Sequence, residues 1–323
     1  MFFEESVRYA EHTGYRVGSR GLTAVRLAGV VLSAALGMAD AAVVPDMLGR
    51  PVAIPDRPLR VVSLAPSITE TAYTLGRGDW LVGVTDVCDF PPRVRQLPKV
   101  GGIAAPNLEQ IVRLRPDLVF TTAEGNTRDL LDRLQRLGLP AFALQPNSYG
   151  RVIESILAMG RALSADQAAR RIVDDIQRHL DRVQGAVAGR SRPGVLYLLW
   201  TEPLIAAGAA TYLDDLLRLA GGRNIVWERT GSYPRLNWEQ VVARMPDVIL
   251  LADHRDESED PAIGRGDVPS EWRAWQAVPA TRTGRVLAVP SNTILRPGPR
   301  LGDGLLRLGR AIHPEAFPVP EAK

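Results

Sequence analysis

One cysteine, Cys88, stands in a chain of 323 residues, so no intrachain disulfide can form even if the protein is exported. Cys88 also lacks a neighbouring histidine or basic residue in sequence, which makes it a buried or loop thiol rather than a nucleophile. The four histidines, His12, His179, His254 and His313, are nowhere paired at metal-ligand spacing, and each reads as a surface residue. There is no P-loop, no G-x-S-x-G and no H-E-x-x-H, and Gly76-x-Gly78 lacks the third glycine of a dinucleotide fingerprint. These absences remove the common catalytic constellations and leave no call for a resident cofactor or metal. The formal charge is only +3, without a basic run or an aromatic-studded basic patch, which excludes nucleic acid as a partner. No apolar run reaches the roughly 20 residues that a membrane-spanning helix needs.

What the chain does have is a repeat. N-L-E-Q-I-V-R-L-R-P-D-L-V-F, Asn107 to Phe120, returns as N-W-E-Q-V-V-A-R-M-P-D-V-I-L, Asn237 to Leu250. Each copy predicts a cap Asn, a short helix, a Pro-Asp break and a buried strand, in one register. The flanks agree more loosely: RVVSL at Arg60 to Leu64 with GVLYL at Gly194 to Leu198, and the Gly138 to Leu144 strand with Gly284 to Val289. So long a period means two similar lobes rather than a solenoid.

Between the copies, Ser164 to Gly189 predicts one uninterrupted helix. Ser164 offers a cap with Gln167 at the capping-box spacing, and Gly189 and Pro193 supply the stop. Ala168, Ile172, Ile176, Leu180, Val183 and Val187 form one apolar stripe. Such a helix is about 36 Å long, the length of a strut between lobes.

Length alone suggests about two domains, and 46% apolar with 23% charged residues is the composition of an ordinary globular protein. Residues 1–41 read as a signal peptide: Arg16, Arg20 and Arg26 are basic, Leu27 to Met38 is apolar, and Ala39-Asp40-Ala41 supplies small residues for cleavage. The polar stretch before Arg16 suits a translation start further downstream. No cysteine ends the apolar run, so no lipid anchor is expected there; a bacterial periplasm is the expected location. Residues 42–57 form a lead with a hairpin, 58–150 the first α/β lobe, 151–190 a helical linker and 191–317 the second lobe. Each lobe is expected to be a mostly parallel sheet flanked by helices.

Trp80 to Val84 and Asn224 to Val226 are expected as strands, Trp200 to Pro203, His254 to Val268 and Ile294 to Pro299 as loops, and Trp272 with Trp275 as a short helix. Ligands of open α/β sheets sit beyond the carboxyl ends of the strands. The cleft is therefore expected to be lined by Ser67, Asp89, Phe90, Trp200, Tyr233, Asn292 and Arg296, with Arg296 able to meet an acidic group. Glu109 and Glu239 each follow a cap Asn, where the helix dipole favours a carboxylate; two equivalent carboxylates also suit docking onto a symmetric basic partner.

The motifs R-V-V-S-L-A-P-S-I-T-E at Arg60 to Glu70, D-F-P-P at Asp89 to Pro92, the two N-x-E-Q copies and R-P-G-P-R at Arg296 to Arg300 resemble one family. It is the periplasmic binding proteins of ABC importers with a single helical backbone, carriers of cobalamin, haem or iron-siderophores. The resemblance runs from Pro58 to His313. It implies a monomeric, non-catalytic carrier that serves an inner-membrane permease and ATPase, with Glu109 and Glu239 meeting permease arginines. D-F-P-P and the Trp200 segment are most similar to cobalamin-binding members. Ile103-Ala104-Ala105-Pro106 stands where such members have a Trp, and leaves haem, with Tyr233 as ligand, or a siderophore, with Arg296 and Arg300, as alternatives. A periplasmic enzyme or sensor on this scaffold is a further alternative.

Overall fold

A computed structural model describes residues 41–227, 232–253, 264–265 and 277–317. The leader up to residue 40, most of the polar segment after Asp253, and the Trp272 and Trp275 helix lie outside the described residues. Among those described, no helix is long and apolar enough to cross a membrane.

The lead is the hairpin expected, β1 (Ala41–Pro45) with β2 (Pro51–Pro55). Buried Asp46 fixes its turn, accepting from the Leu48 and Arg50 amides and pairing with the Arg50 guanidinium at 2.6 Å. The first sheet follows, from β3 (Val61–Ser63), β4 (Leu81–Val84), β5 (Leu118–Thr122) and β6 (Ala141–Leu144), with α1 (Pro66–Thr74), α2 (Leu108–Arg113) and α3 (Arg128–Arg136) between the strands. All its pairings are parallel, in the order β4-β3-β5-β6. Then come α4 (Tyr149–Ala162) and α5 (Asp166–Val187).

The second sheet holds β7 (Gly194–Thr201), β8 (Leu204–Ala206), β9 (Arg223–Asn224), β10 (Val248–Asp253), β11 (Gly264–Arg265) and β12 (Val286–Pro290). Its helices are α6 (Tyr212–Leu219), α7 (Trp238–Arg244), α8 (Pro279–Arg282), α9 (Ser291–Leu295) and α10 (Leu301–Ile312). The strands β9, β7, β10 and β12 pair in parallel, in the order that β4, β3, β5 and β6 take in the first sheet; β8 and β11 are antiparallel additions. The sequence repeat is thus a repeat of topology.

Local chemistry explains why. Asn107 accepts from the Gln110 amide at 3.1 Å and Asn237 from that of Gln240 at 2.9 Å, so each copy caps its helix alike. Arg115 and Met245, each directly before the proline, both take positive φ, 46° and 47°, and the proline that follows cannot continue the helix. Next, the Asp117 carboxylate accepts from the Leu59 and Arg60 amides at 3.0 and 2.9 Å, and Asp247 from the Gly194 amide at 2.7 Å. An aspartate opening one strand holds the start of its neighbour and so fixes the parallel register.

Alternation along the strands sends side chains to two faces. Val62 and Val119 join α2 and α3 in an outer core, and Leu196, Leu198, Ile249 and Leu251 do the same around α7. The other faces, with Val61, Leu118, Phe120, Val195, Tyr197 and Leu250, meet Ile156 and Met159 of α4, Ile172, Ile176, Leu180 and Val183 of α5, and Leu301, Leu305 and Leu308 of α10 in one shared apolar cluster. The stripe predicted on α5 is the face buried here, with Ala169 rather than Ala168 its first buried alanine.

Several expectations need correction. Ser164 does not cap α5: it lies in the turn from α4 with φ of 48°, its hydroxyl reaches the Asp56 carbonyl at 3.2 Å, and α5 starts after Ala165 without a side-chain cap. The helix is accordingly 22 residues, about 33 Å. Trp200 is not on a loop but in β7, opposite Ile205 of β8, because the chain reverses through a hairpin only after Thr201. The segment from Ser291 to Leu295 is a short helix, which places Asn292 on α9. Trp80 ends a 3₁₀ turn before β4. His313 is buried, 4% exposed, with Nε2 at 3.1 Å from the Gly221 carbonyl.

An uninterrupted helix, with a core common to both sheets, leaves few residues to absorb a hinge rotation. Ligand is therefore expected to leave the radius of gyration in small-angle scattering nearly unchanged, and a marked contraction would contradict this.

Candidate ligand-binding site

The cavity between the sheets has a volume of about 360 Å³, within the range of small-molecule sites. The first residues of α1, after β3, give it Pro66 and Ser67; the end of β5 and the turn after it give Thr122 and Glu124; the start of α6 gives Thr211 and Tyr212. Ile103, Asn147, Tyr233 and Arg296 complete the wall. These positions cluster beyond the carboxyl ends of β3, β5, β6 and β12, as the topology requires.

Of the seven residues expected here, Ser67, Tyr233 and Arg296 line the cavity. Asp89, Phe90 and Asn292 adjoin it through a charge cluster. Arg296 Nη1 donates to Asp89 Oδ1 at 2.6 Å and to Glu70 Oε1 at 2.9 Å, and Nη2 to Asp89 Oδ2 at 3.2 Å. Arg300 donates from Nε and Nη2 to the two Glu70 oxygens at 2.9 and 2.8 Å, and from Nη2 to the Asn292 carbonyl at 3.4 Å. Its guanidinium also stacks 4.4 Å from the Phe90 ring centre. Trp200, 54% exposed on β7, is not in the cavity wall.

This cluster ties the lobes together, since Glu70 and Asp89 belong to the first and Arg296 and Arg300 to the second. Glu70 is only 2% exposed, and two guanidinium groups supply the hydrogen bonds that burial takes from its carboxylate. Burial pushes the Asp89 carboxyl up, but the hydrogen bonds and charge of Arg296 outweigh that and hold it below its ordinary value. Between Arg296 and Arg300 the chain passes against α1, and a Cβ on Gly298 would stand 3.2 Å from the Ser67 carbonyl, so glycine allows the approach.

Glu124 and Tyr212 escaped the sequence reading, and Ile103 entered it only as part of the segment that stands in place of a Trp. Glu124 follows the β5 carboxyl end, the same signal that pointed to Ser67. Tyr212 opens α6, and its hydroxyl is buried with no hydrogen-bond partner among the described residues; burial raises its pKa far above the usual phenol value. Burial also raises the pKa of Tyr233, with the Glu124 charge adding to it, although 45% of this side chain reaches solvent at the cleft mouth. Cys88 is the buried thiol expected, between Thr69 and Thr85, and burial pushes its pKa up. Among the described residues no group of His, Cys, Asp and Glu could hold a metal ion.

Ile103 and Tyr233 stand at matching places, each four residues before a cap Asn, and both line the cavity. Six residues after each comes a carboxylate in the first turn of a helix, Glu109 on α2 and Glu239 on α7. Both are exposed. Glu109 pairs with Arg113 one turn on, at 2.6 Å.

Residues 61–293 match the family described as periplasmic binding protein. The chain belongs to that family. It is a binding protein and not an enzyme. It is 29% identical over 264 residues to the vitamin B12-binding protein of Vibrio cholerae serotype O1, covering 81% of this chain and 91% of that one. Among solved structures, the periplasmic vitamin B12 binding protein BtuF of Vibrio cholerae superposes with a TM-score of 0.71 at 27% identity, covering 81% of this chain and 99% of that one. The periplasmic heme-binding protein RhuT from Roseiflexus sp. RS-1 gives 0.69 at 28% identity, covering 80% and 98%. The binding protein thus shares its two-lobed α/β fold with a vitamin B12 binding protein and a heme-binding protein.

Proposed function

We propose that this protein captures a metal chelate, cobalamin, in the interlobe cavity and delivers it to an ABC importer of permease and ATPase. The observation that carries the reading is a cavity between two lobes, with Ser67, Tyr212, Tyr233 and Arg296 in its wall, in a chain whose curated relatives are vitamin B12-binding proteins. The aromatic rings supply broad apolar surface and the hydroxyls directional contacts. Only part of a macrocycle fits so small a cavity, and the rest extends into its mouth, toward Phe90, which is 43% exposed. Asp89 and Asn292 act through the charge cluster that holds Arg296 and Arg300, and Trp200 supplies an apolar face outside the cavity wall. Equilibrium titration with cyanocobalamin and with haemin tests the ligand: cyanocobalamin is expected to bind more tightly, and the opposite order would replace this reading with a haem carrier, the alternative favoured by the likeness to RhuT and by Tyr233.

In the same reading the carrier works as a monomer. Its pseudosymmetric Glu109 and Glu239 meet arginines on the two halves of the permease, from the same side as the cleft mouth. Residues 1–41 are removed on export to the periplasm. Intact-mass measurement of the periplasmic protein is expected to show cleavage after Ala41, and a mature form retaining Leu27 to Met38 would rule it out.

A further inference from the structure

The charges around the cavity do not balance evenly. Arg296 is its cation, and Glu70 and Asp89 already occupy that guanidinium. With Arg300 on Glu70, two guanidinium groups face two carboxylates. Glu124 stands outside this cluster, in the cavity wall, and among the described residues no donor reaches its carboxylate.

The turn that presents Glu124 is firmly built. Asn126, 7% exposed, accepts from the Thr122 amide at 2.8 Å and donates to the Ile103 carbonyl at 2.6 Å. A Cβ on Gly125 would stand 2.5 Å from Ile103 Cγ2, so the turn lies directly against the Ile103 segment. The surrounding protein desolvates the carboxyl and raises its pKa. The Tyr212 hydroxyl in the same wall is buried and has no hydrogen-bond partner among the described residues. Outside the charge cluster the wall therefore offers a carboxylate, which only accepts, together with phenols, the Ser67 hydroxyl and the Asn147 amide, which can donate as well.

We propose that Glu124 sets the charge selectivity of the cleft, accepting hydrogen bonds from N–H-bearing substituents of a neutral or cationic chelate and repelling chelates that carry carboxylates. This rests on the chelate-carrier reading and narrows it to amide-bearing ligands. A carboxylate brought into the cavity meets a like charge, while the cation that could compensate is already neutralised. Such repulsion across a partly desolvated cleft is worth about tenfold in affinity.

The test compares the wild type with Glu124→Gln and Glu124→Lys by titration with haemin, whose periphery carries two carboxylates, and with cyanocobalamin, whose corrin side chains end in amides. Haemin affinity is expected to rise about tenfold in Glu124→Gln and further in Glu124→Lys, with the thermal midpoint unchanged. Cyanocobalamin affinity is expected to fall a few-fold in Glu124→Gln, where a neutral acceptor replaces a charged one. Equal haemin binding in all three proteins, or none in any, overturns the inference. The chelate assignment fails separately, if wild-type protein alone prefers haemin to cyanocobalamin; the change in haemin affinity between variants then still decides the role of Glu124.

Discussion

Replacing Glu70 with alanine is expected to lower the unfolding free energy by about 3–5 kcal/mol, read as a large drop in the urea midpoint. Glu70 is nearly inaccessible and receives both Arg296 and Arg300, so its removal leaves partly buried guanidinium groups short of an acceptor. The double variant Glu70→Leu with Arg300→Met removes both members of one pair and leaves Arg296 on Asp89, and is expected to cost less than the two single changes together. A Glu70→Ala protein as stable as the wild type would show that the cluster does not hold the lobes. Acid should weaken the same cluster. The Asp89 pKa is lower in the folded protein than in the unfolded chain, so its contribution is complete above the unfolded value, about 4, and is lost as pH falls through the folded one. Asp89→Asn should show a smaller loss of stability between pH 5 and about 3 than the wild type does.

Replacing both Glu109 and Glu239 with glutamine is expected to cut uptake at least about tenfold while ligand affinity stays the same. If these carboxylates served only their helix N-termini, the pair would cost no more than about 2 kcal/mol of stability and transport would continue. The Glu109 pair with Arg113 is exposed, and contacts of that kind are worth less than about 1 kcal/mol, so a permease arginine can displace it cheaply. Because the lobes repeat, each single change should hurt less than the pair. Uptake in cells lacking their own carrier, beside titration of purified protein, separates the cases: normal uptake by the folded double variant refutes docking, and lost ligand binding would move both residues into the cleft.

The parts legible in the sequence are those decided within a few residues. The cap Asn, the Pro-Asp break and the strand after it recur in both copies because each depends on hydrogen bonds and backbone restrictions close by in the chain. The stripe from Ile172 to Val183 was legible for the same reason, as periodicity within one helix. Ser164 shows the limit: its spacing to Gln167 suits a cap, but the turn forced between α4 and α5 puts it in left-handed backbone. Strand propensity could not tell a Trp200 loop from a Trp200 strand, since the partner β8 is what decides. In the site, Ser67 and Tyr233 follow from topology, whereas the pairing of Glu70 with Arg296 and Arg300 joins groups more than 200 residues apart, and no local pattern announces it. Glu124 and Tyr212 matter only because folding brings the turn after β5 and the start of α6 to one cavity.

The apolar cluster common to both sheets bears on how the molecule comes apart. Phe120, Ile176, Tyr197 and Leu250 belong to one continuous buried cluster that crosses the lobe boundary, so neither half keeps its whole interior when the other is lost. Melting should then follow one cooperative transition, with calorimetric and van't Hoff enthalpies equal. A chain cut after Arg190 would leave α5 with its apolar stripe facing water, and either half expressed alone should aggregate. Although the sequence was written twice, the two copies form a single folding unit.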